Sequence, residues 1–131
     1  MNSLSIQATE VTPSINCDFE HEFIEISGRS IPENAIEFYS PLAKWLKDYQ
    51  KSSKQNLKLI FFLDYINSIS YKMVFEILLM TEKIKQDGKT VSIHWKYEED
   101  DDQILEEGTY FSSKLEIPFS FEEVPESGLS F

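Results

Sequence analysis

The chain has 131 residues, which suits one domain with a sizeable core and is too short for two of ordinary size. Its 23 acidic residues outnumber the 12 basic ones, and the formal charge of −11 disfavours direct binding to a nucleic-acid backbone. We expect a cytoplasmic protein without membrane insertion, because the single cysteine cannot form an intramolecular disulfide, no secretory signal is recognisable and no apolar run could cross a bilayer.

Three short strands are predicted near the N-terminus. Apolar and polar residues alternate over residues 4–8, 15–19 and 23–27. Residues 20–22 are polar and form the predicted turn between the second and third strands. The three segments therefore predict an antiparallel ribbon.

A first helix is predicted to begin near Ser30. Ser30 and Glu33 have the spacing of a capping box, and Pro32 suits a first helical turn. Pro41 lies inside the pattern and predicts a kink, or two abutting helices, around Ser40. The apolar positions recur in steps of three and four and predict this buried stripe: Ile31, Ala35, Phe38, Leu42, Trp45, Leu46 and Tyr49.

The middle of the chain predicts a strand followed directly by a long helix. Residues 57–66 are almost continuously apolar, which is typical of a central strand covered on both faces. The helix is predicted to end at Asp87 and Gly88, because glycine suits the left-handed position after a helix. Its predicted stripe consists of Ile69, Met73, Ile77, Met80 and Ile84, flanked by Val74 and Leu78.

The C-terminal third predicts a strand, a short helix and a last strand. Residues 90–97 alternate cleanly, and residues 115–124 form the last predicted strand. The short helix between them is predicted to turn these residues inward: Ile104, Leu105, Tyr110 and Phe111. The fold class is therefore α/β, a single mixed sheet with packed helices over residues 1–124, followed by a tail at residues 125–131.

Signals of catalysis are few. The sequence lacks the GxxxxGK[ST], GxGxxG, CxxC and HExxH motifs, so we expect no cofactor and no metal. Asp64 and His94 could form an acid–base pair if their strands are neighbours, although a hydrogen-bonded strand histidine is the simpler interpretation. Cys17 lies in a strand pattern without a basic neighbour and is predicted to be a buried thiol.

An acidic run covers residues 98–102, with Glu106 and Glu107 just beyond it. Such carboxylates could attract a hard cation such as calcium. The run lacks the glycine and the alternating ligand spacing of an EF-hand loop, so a solvated loop is the simpler interpretation.

The junction at Asn67 and Ser68 is the most informative local feature. A helix begins there, and a helix start carries unpaired N–H groups and partial positive charge, which suit a phosphate. The simpler local interpretation is that Asn67 or Ser68 only caps the helix. Phosphorylation would add roughly −1.5 to −2 charges and would block a partner surface built for a neutral hydroxyl.

Several sequence blocks together resemble the SiaC family of bacterial regulatory phosphoproteins, over about residues 4–119. The most specific of them is GRSIPENA from residue 28, followed by FYxP from residue 38. The others are ATxxTPSI from residue 8, WL at residue 45, YxNS from residue 65 and WxY from residue 95.

This resemblance implies a fold similar to STAS-type anti-sigma-factor antagonists and a role in partner switching. In that family a serine/threonine kinase phosphorylates the protein, a PP2C-like phosphatase reverses the modification, and the unmodified form binds and activates a diguanylate cyclase in cyclic di-GMP and biofilm control. The modified threonine of relatives corresponds to Ser68, with Ser70 as a rival. The docking surface is expected to include Asp64, Tyr65, Asn67, Ser68 and Tyr71.

The leading hypothesis is thus a non-enzymatic signalling adaptor. Two alternatives stay open at this point. One is an anti-anti-sigma factor that binds a kinase-like anti-sigma factor and shares both fold and phosphosite with the first hypothesis. The other is a small hydrolase that uses Asp64 and His94, which requires the two side chains within hydrogen-bond reach in an open pocket.

Overall fold

Six strands form one mixed sheet in which neighbours in space are also neighbours in sequence. The computed structural model describes residues 2–126, so most of the predicted tail at residues 125–131 lies outside the described residues. The predicted element order and fold class are confirmed. The strands are β1 (Leu4–Ile6), β2 (Ser14–Asp18), β3 (Phe23–Ser30), β4 (Asn56–Ile66), β5 (Thr90–Glu98) and β6 (Phe119–Val124), and the helices are α1 (Ala35–Gln50), α2 (Ser68–Gln86) and α3 (Asp102–Lys114).

The first three strands pair antiparallel, as predicted. Ile15 lies opposite Ile6 on one side and Ile26 on the other, and Ile15 and Ile26 are both buried. Cys17 is buried in the same layer, and burial raises the pKa of its thiol to about 12. The prediction of a buried thiol is confirmed.

From β3 onward the strands are parallel, and one helix connects each neighbouring pair. Crossovers of this kind are right-handed, and each step moves one strand further in the same direction. All three helices therefore pack on the same face of the sheet. We predicted that β4 would be covered on both faces, and this prediction is wrong. Leu59 and Phe61 are fully buried under the helices, whereas Ile60 and Phe62 are only half-buried on the open face.

Helix α1 begins later than predicted. Its N-cap is Asn34, whose side-chain oxygen accepts a hydrogen bond from the Glu37 N–H at 3.0 Å. Ser30 is instead the last residue of β3, so the predicted capping box is wrong. The physical reason is Pro32, which disfavours a helical conformation at Ile31, and the Ile31 N–H instead donates to the Val11 carbonyl at 2.8 Å.

The buried face of α1 largely follows the prediction, with two differences. Phe38 is half-buried, and the neighbouring Tyr39, which the predicted stripe omitted, is fully buried. Residues 35–50 form one unbroken helix rather than two abutting ones. Pro41 cannot donate to the Glu37 carbonyl, but the Ser40 hydroxyl donates to that oxygen at 3.0 Å and satisfies it.

Helix α2 ends as predicted, before Asp87 and Gly88, and the glycine has a φ of +114°. Its buried face is turned relative to the prediction. Ile69 is 60% exposed rather than buried, because Ser70 takes the inward position. The observed buried residues are Ser70, Val74, Ile77, Leu78, Thr81 and Ile84.

Helix α3 follows the acidic run and is capped by Asp101, whose side chain accepts a hydrogen bond from the Ile104 N–H at 3.1 Å. Ile104 and Phe111 are buried as predicted, but Tyr110 is exposed. The last strand is shorter than predicted and begins at Phe119, because the preceding residues cross from the helix to the sheet.

A glycine brings α3 close to the sheet. The Trp95 indole N–H donates to the Ile104 carbonyl at 2.9 Å, and Gly108 lies over the same ring. A methyl group at residue 108 would lie 2.5 Å from Trp95 Cδ1, well inside van der Waals contact. Both partners are buried, so neither can move aside without displacing the helix.

We therefore expect Gly108→Ala to lower the free energy of unfolding by about 2 kcal/mol, because it overpacks the contact between α3 and Trp95. Thr109→Ala, on the exposed side of the same helix, should change stability by less than about 0.5 kcal/mol. Urea denaturation of the three proteins checks the difference. Equal midpoints for Gly108→Ala and the unsubstituted protein would contradict it.

Candidate functional site

The starts of α1, α2 and α3 lie at one edge of the sheet. The parallel strands β3, β4 and β5 all end at this edge, and each helix begins directly after its strand. Helix starts carry partial positive charge, while loops there are free to meet a partner. The predicted site residues Asp64, Tyr65, Asn67, Ser68 and Tyr71 all belong to the junction of β4 and α2 at this edge.

Asn67, rather than Ser68, caps α2. Its side-chain oxygen accepts from the Ser70 N–H at 2.9 Å, and its carbonyl accepts from the Tyr71 N–H at 2.8 Å. Its own N–H donates to the Ser30 carbonyl at 3.2 Å. Ser68 is therefore the first helical residue and is exposed, and within residues 2–126 its hydroxyl has no hydrogen-bond partner.

Three buried hydroxyl groups lie beneath the junction. The Ser30 hydroxyl donates to Ser70 Oγ at 2.9 Å and lies 2.6 Å from the Tyr39 hydroxyl. Burial raises the pKa of Tyr39 to about 12, so its phenol stays protonated and able to donate. The chain of hydroxyls joins the end of β3, the first turns of α1 and the first turn of α2.

This contact determines which side chains of α2 face outward. Successive helix residues are turned by about 100°, so with Ser70 directed inward both Ser68 and Ile69 point towards solvent. Tyr65, just before the cap, is 47% exposed, and Ile36 on the first turn of α1 is 70% exposed. Exposed apolar side chains therefore lie at this edge, and Tyr65 and Ile69 are near neighbours of Ser68 along the chain.

A cleft of about 440 Å³ separates the start of α2 from α3. It is lined by Tyr65, Ile66, Asn67, Ser68, Tyr71, Gln103 and Glu107. A second hollow of about 620 Å³ shares its Tyr71, Gln103 and Glu107 walls and adds Asp102, Glu106 and Tyr110. The cleft brings Ser68 together with residues of α3 that are remote in the sequence.

Glu107 lines this cleft, although the sequence did not predict it as a residue of the site. Its Oε2 lies 3.5 Å from the Gln103 amide nitrogen, and its buried Oε1 has no hydrogen-bond partner within residues 2–126. Burial is the main cause that raises the pKa of Glu107, and the nearby carboxylates of Asp101 and Glu106 raise it further. The sequence carried only the signal of an acidic region, since the packing of α3 beside α2 is not a local property.

The predicted pair of Asp64 and His94 does not form. Parallel pairing places His94 opposite Ile60, four residues before Asp64 on β4. The two ring nitrogens of His94 lie 2.7 Å from Ser120 Oγ and from Glu122 Oε1, and the hydrogen bond to His94 lowers the pKa of Glu122. The hydrolase hypothesis that relied on this pair is therefore wrong. The simpler interpretation, a strand histidine held by hydrogen bonds, is correct.

Among residues 2–126, no three histidine, cysteine, aspartate or glutamate side chains gather closely enough to hold a metal ion. In the same range, no helix combines the length and the apolar character that a membrane span needs.

The fold and site together define a small α/β domain with a one-sided mixed sheet and an exposed serine at its central strand-to-helix junction. The family model described as SiaC family regulatory phosphoprotein matches residues 6–124. The chain therefore belongs to the SiaC family of regulatory phosphoproteins. A curated relative, an uncharacterised protein of Pseudomonas aeruginosa strain UCBPP-PA14, is 29% identical over 122 residues, which are 93% of this chain and 97% of the relative.

Solved structures of SiaC from Pseudomonas aeruginosa are similar to this chain. Apo-SiaC is 28% identical with a TM-score of 0.84, and the match covers 93% of this chain and 99% of that one. A second match, also 28% identical, has a TM-score of 0.88 and covers 92% of this chain and 99% of the other. That structure is described as the diguanylate cyclase SiaD in complex with its activator SiaC.

The buried hydroxyls generate a stability prediction. Ser30→Ala should lower the free energy of unfolding by about 1–3 kcal/mol, because it leaves the buried hydroxyls of Ser70 and Tyr39 without their shared partner. Ser68→Ala, which alters an exposed hydroxyl, should stay within about 0.5 kcal/mol of the unsubstituted protein. Thermal unfolding followed by circular dichroism compares the variants. An unchanged Tm for Ser30→Ala would show that the hydrogen-bonded hydroxyls do not stabilise the fold.

Proposed function

We propose that this protein is a non-enzymatic cytoplasmic adaptor that is reversibly phosphorylated on Ser68. Its unmodified form binds and activates a diguanylate cyclase, and the phosphate prevents that binding. The observation that carries the proposal is the position of Ser68 as the exposed first residue of α2, in a chain that belongs to a family of regulatory phosphoproteins. Residues 1–124 act as one SiaC-like domain and residues 125–131 as a tail, in keeping with a family match that ends at residue 124.

The accessibility of the two candidate hydroxyls favours Ser68 over Ser70. A kinase needs a free oxygen that can attack the γ-phosphorus of ATP: the O–P bond forms, ADP leaves, and the hydroxyl proton passes to a base of the kinase. Ser68 Oγ meets this requirement, whereas Ser70 is fully buried and its oxygen accepts from Ser30. A PP2C-like phosphatase would reverse the reaction by transferring the phosphoryl group to water.

The start of α2 can hold the phosphate without unfolding. Within residues 2–126, the backbone N–H groups of Ser68 and Ile69 have no hydrogen-bond acceptor and can donate to phosphate oxygens. Lys72 lies one turn later, in the arrangement where an anion four residues before a lysine is favourable. The first turn of α2 therefore stays helical when Ser68 is modified.

The same phosphate is incompatible with a docked partner. We define the junction face as Asp64, Tyr65, Asn67, Ser68 and Tyr71. Its exposed apolar area, to which Ile69 adds, favours contact with another protein. A phosphate adds roughly −1.5 to −2 charges at the centre of this surface, and burying that charge under a partner without a matching cation costs several kcal/mol.

The choice of a diguanylate cyclase as effector rests on similarity. A SiaC chain in the similar structure is the activator in a complex with the cyclase SiaD, and the match covers 92% of this chain. The anti-anti-sigma alternative shares the phosphosite, but neither of the two similar structures reported above is described as containing an anti-sigma factor. We therefore propose the cyclase as effector and leave the sigma pathway as an outcome of the binding experiment.

The phosphorylation site can be tested directly. Incubation with the cognate kinase and ATP should transfer one phosphate, which mass spectrometry of tryptic peptides should locate on Ser68. Ser68→Ala should lose the modification, and Ser68→Thr should retain it because threonine keeps a hydroxyl at the same place. Undiminished phosphorylation of Ser68→Ala would refute the site.

The switch is tested by binding and by cyclase turnover. Unmodified protein and Ser68→Ala should bind the cyclase with similar affinity and raise its synthesis of cyclic di-GMP, whereas the phosphorylated protein should bind at least about tenfold more weakly, equivalent to 1.4 kcal/mol. Isothermal titration with purified proteins measures the affinity. Equal binding of the phosphorylated and unmodified forms would contradict the switch.

A matched pair of substitutions tests the junction face itself. Ile69→Ser should weaken binding of the unmodified protein, because it removes apolar area next to Ser68. Phe121→Ser, which changes a side chain that is 40% exposed on the outer strand β6, should bind normally.

Capture of a kinase-like anti-sigma factor instead of a cyclase from the native cytosol would support the alternative effector.

A further inference from the structure

We propose that the Ser68 phosphate also acts inside the domain, by repelling the Glu107 carboxylate across the cleft between α2 and α3 and loosening the packing of the two helices. This inference rests on the proposed function, because it takes Ser68 as the modified residue. It adds a second effect to the first: the phosphate changes the shape of the junction face as well as its charge.

The geometry places the two groups in one enclosure. Ser68 lies on the α2 side of the 440 Å³ cleft and Glu107 on the α3 side. The Glu107 Oε1 is buried and has no partner among residues 2–126, and its other oxygen has only the Gln103 amide at 3.5 Å. No donor with a full positive charge therefore compensates this carboxylate.

The residues that line the cleft and the adjoining hollow are neutral or negative. Tyr65 at the end of β4 and Tyr71 on α2 line the cleft together with Gln103. Asp101, Glu106 and Tyr110 come from α3 and its cap, and among residues 2–126 no lysine or arginine lines either hollow. Lys114 lies beyond this lining, with its Nζ 5.3 Å from the centre of the Tyr110 ring. A phosphate dianion in the cleft therefore meets a carboxylate without an intervening cation.

Lys72 and Glu107 act on the phosphate in opposite directions, and their burial determines how strongly solvent screens each effect. Lys72 attracts it, but this lysine is exposed, and solvent and salt screen such pairs strongly. Glu107 is half-buried, so its repulsion is screened less. Phosphate and Glu107 are therefore coupled unfavourably, whatever the net effect of phosphorylation on stability.

The repulsion falls on the contact that joins α3 to α2. The ring of Tyr71 stacks on Phe111 with centroids 4.7 Å apart and lies 6.2 Å from the ring of Tyr110. Phe75 stacks on Phe111 at 6.0 Å. Since Glu107 is one turn before Phe111 on the same helix, pushing it away from Ser68 opens this aromatic contact and moves Tyr71, a member of the junction face.

The experiment is a double-mutant cycle with phosphoserine placed at residue 68 by genetic code expansion, so no kinase is needed. Thermal unfolding at pH 8 compares modified and unmodified forms of the unsubstituted protein and of Glu107→Gln. Each protein gives one Tm change on phosphorylation. This change should be more negative in the unsubstituted protein than in Glu107→Gln, by about 3 °C or more. Glu20→Gln, which removes an exposed carboxylate from the turn between β2 and β3, should respond like the unsubstituted protein.

If Glu107→Gln folds poorly, two measurements on the unsubstituted protein test the same coupling. In the unsubstituted protein, phosphoserine should raise the pKa of Glu107 measured by carboxyl NMR, and it should speed amide hydrogen exchange in α3 by about threefold or more. An unchanged Glu107 pKa, or equal Tm shifts with and without the Glu107 carboxylate, would overturn the inference. Because the phosphate is installed without a kinase, these outcomes are independent of whether a kinase recognises Ser68.

Discussion

The hydroxyl of Ser30 is the constraint on which the site depends. It ends a strand, donates to Ser70 at the start of α2 and contacts Tyr39 in α1, so one buried polar atom joins three elements. Such groups are stable only when satisfied, and each partner here needs the others. Since Ser70 is held inward, α2 has one rotational setting, and Ser68 and Ile69 must face solvent. The exposure of Ser68, the proposed modification site, thus results from the hydrogen bonds of the buried hydroxyls beneath it.

The topology explains why so much lies at one edge. Parallel strands end together, and every connecting helix begins where its strand ends, so unpaired amides, caps and loops collect there. The opposite end carries the helix C-termini, where basic residues such as Lys47, Lys83 and Lys85 complement the helix dipoles. The acidic region from Glu98 onward adds negative charge near the junction. This edge therefore combines exposed apolar side chains with negative charge, which complement an apolar and positively charged partner surface.

Local chemistry predicted the order of elements, the bounds of α2, its glycine stop and the alternation in β5, because each depends on neighbours along the chain. The errors have different causes. Ser30 matched a capping box, but Pro32 keeps Ile31 out of the helix. Ile69 matched a buried stripe, but the contact between Ser30 and Ser70, which are far apart in sequence, turns Ile69 outward. The apolar run of β4 likewise could not reveal that every crossover falls on one face. Ser68 was recognisable from its junction and from family resemblance, whereas Glu107 became a site residue only through the packing of α3 beside α2.

The absence of a side chain at residue 108 has a consequence for the cleft. Gly108 lets α3 rest directly on the Trp95 indole, while the indole N–H fixes the helix through the Ile104 carbonyl. Together they set a short packing distance between α3 and the sheet. Glu107 is the next residue along, so this packing distance also determines how far its carboxylate stands from the start of α2. If Ser68 is phosphorylated as proposed, the repulsion of Glu107 would therefore depend on a distance that is set by one glycine and one tryptophan, neither of which lines the cleft.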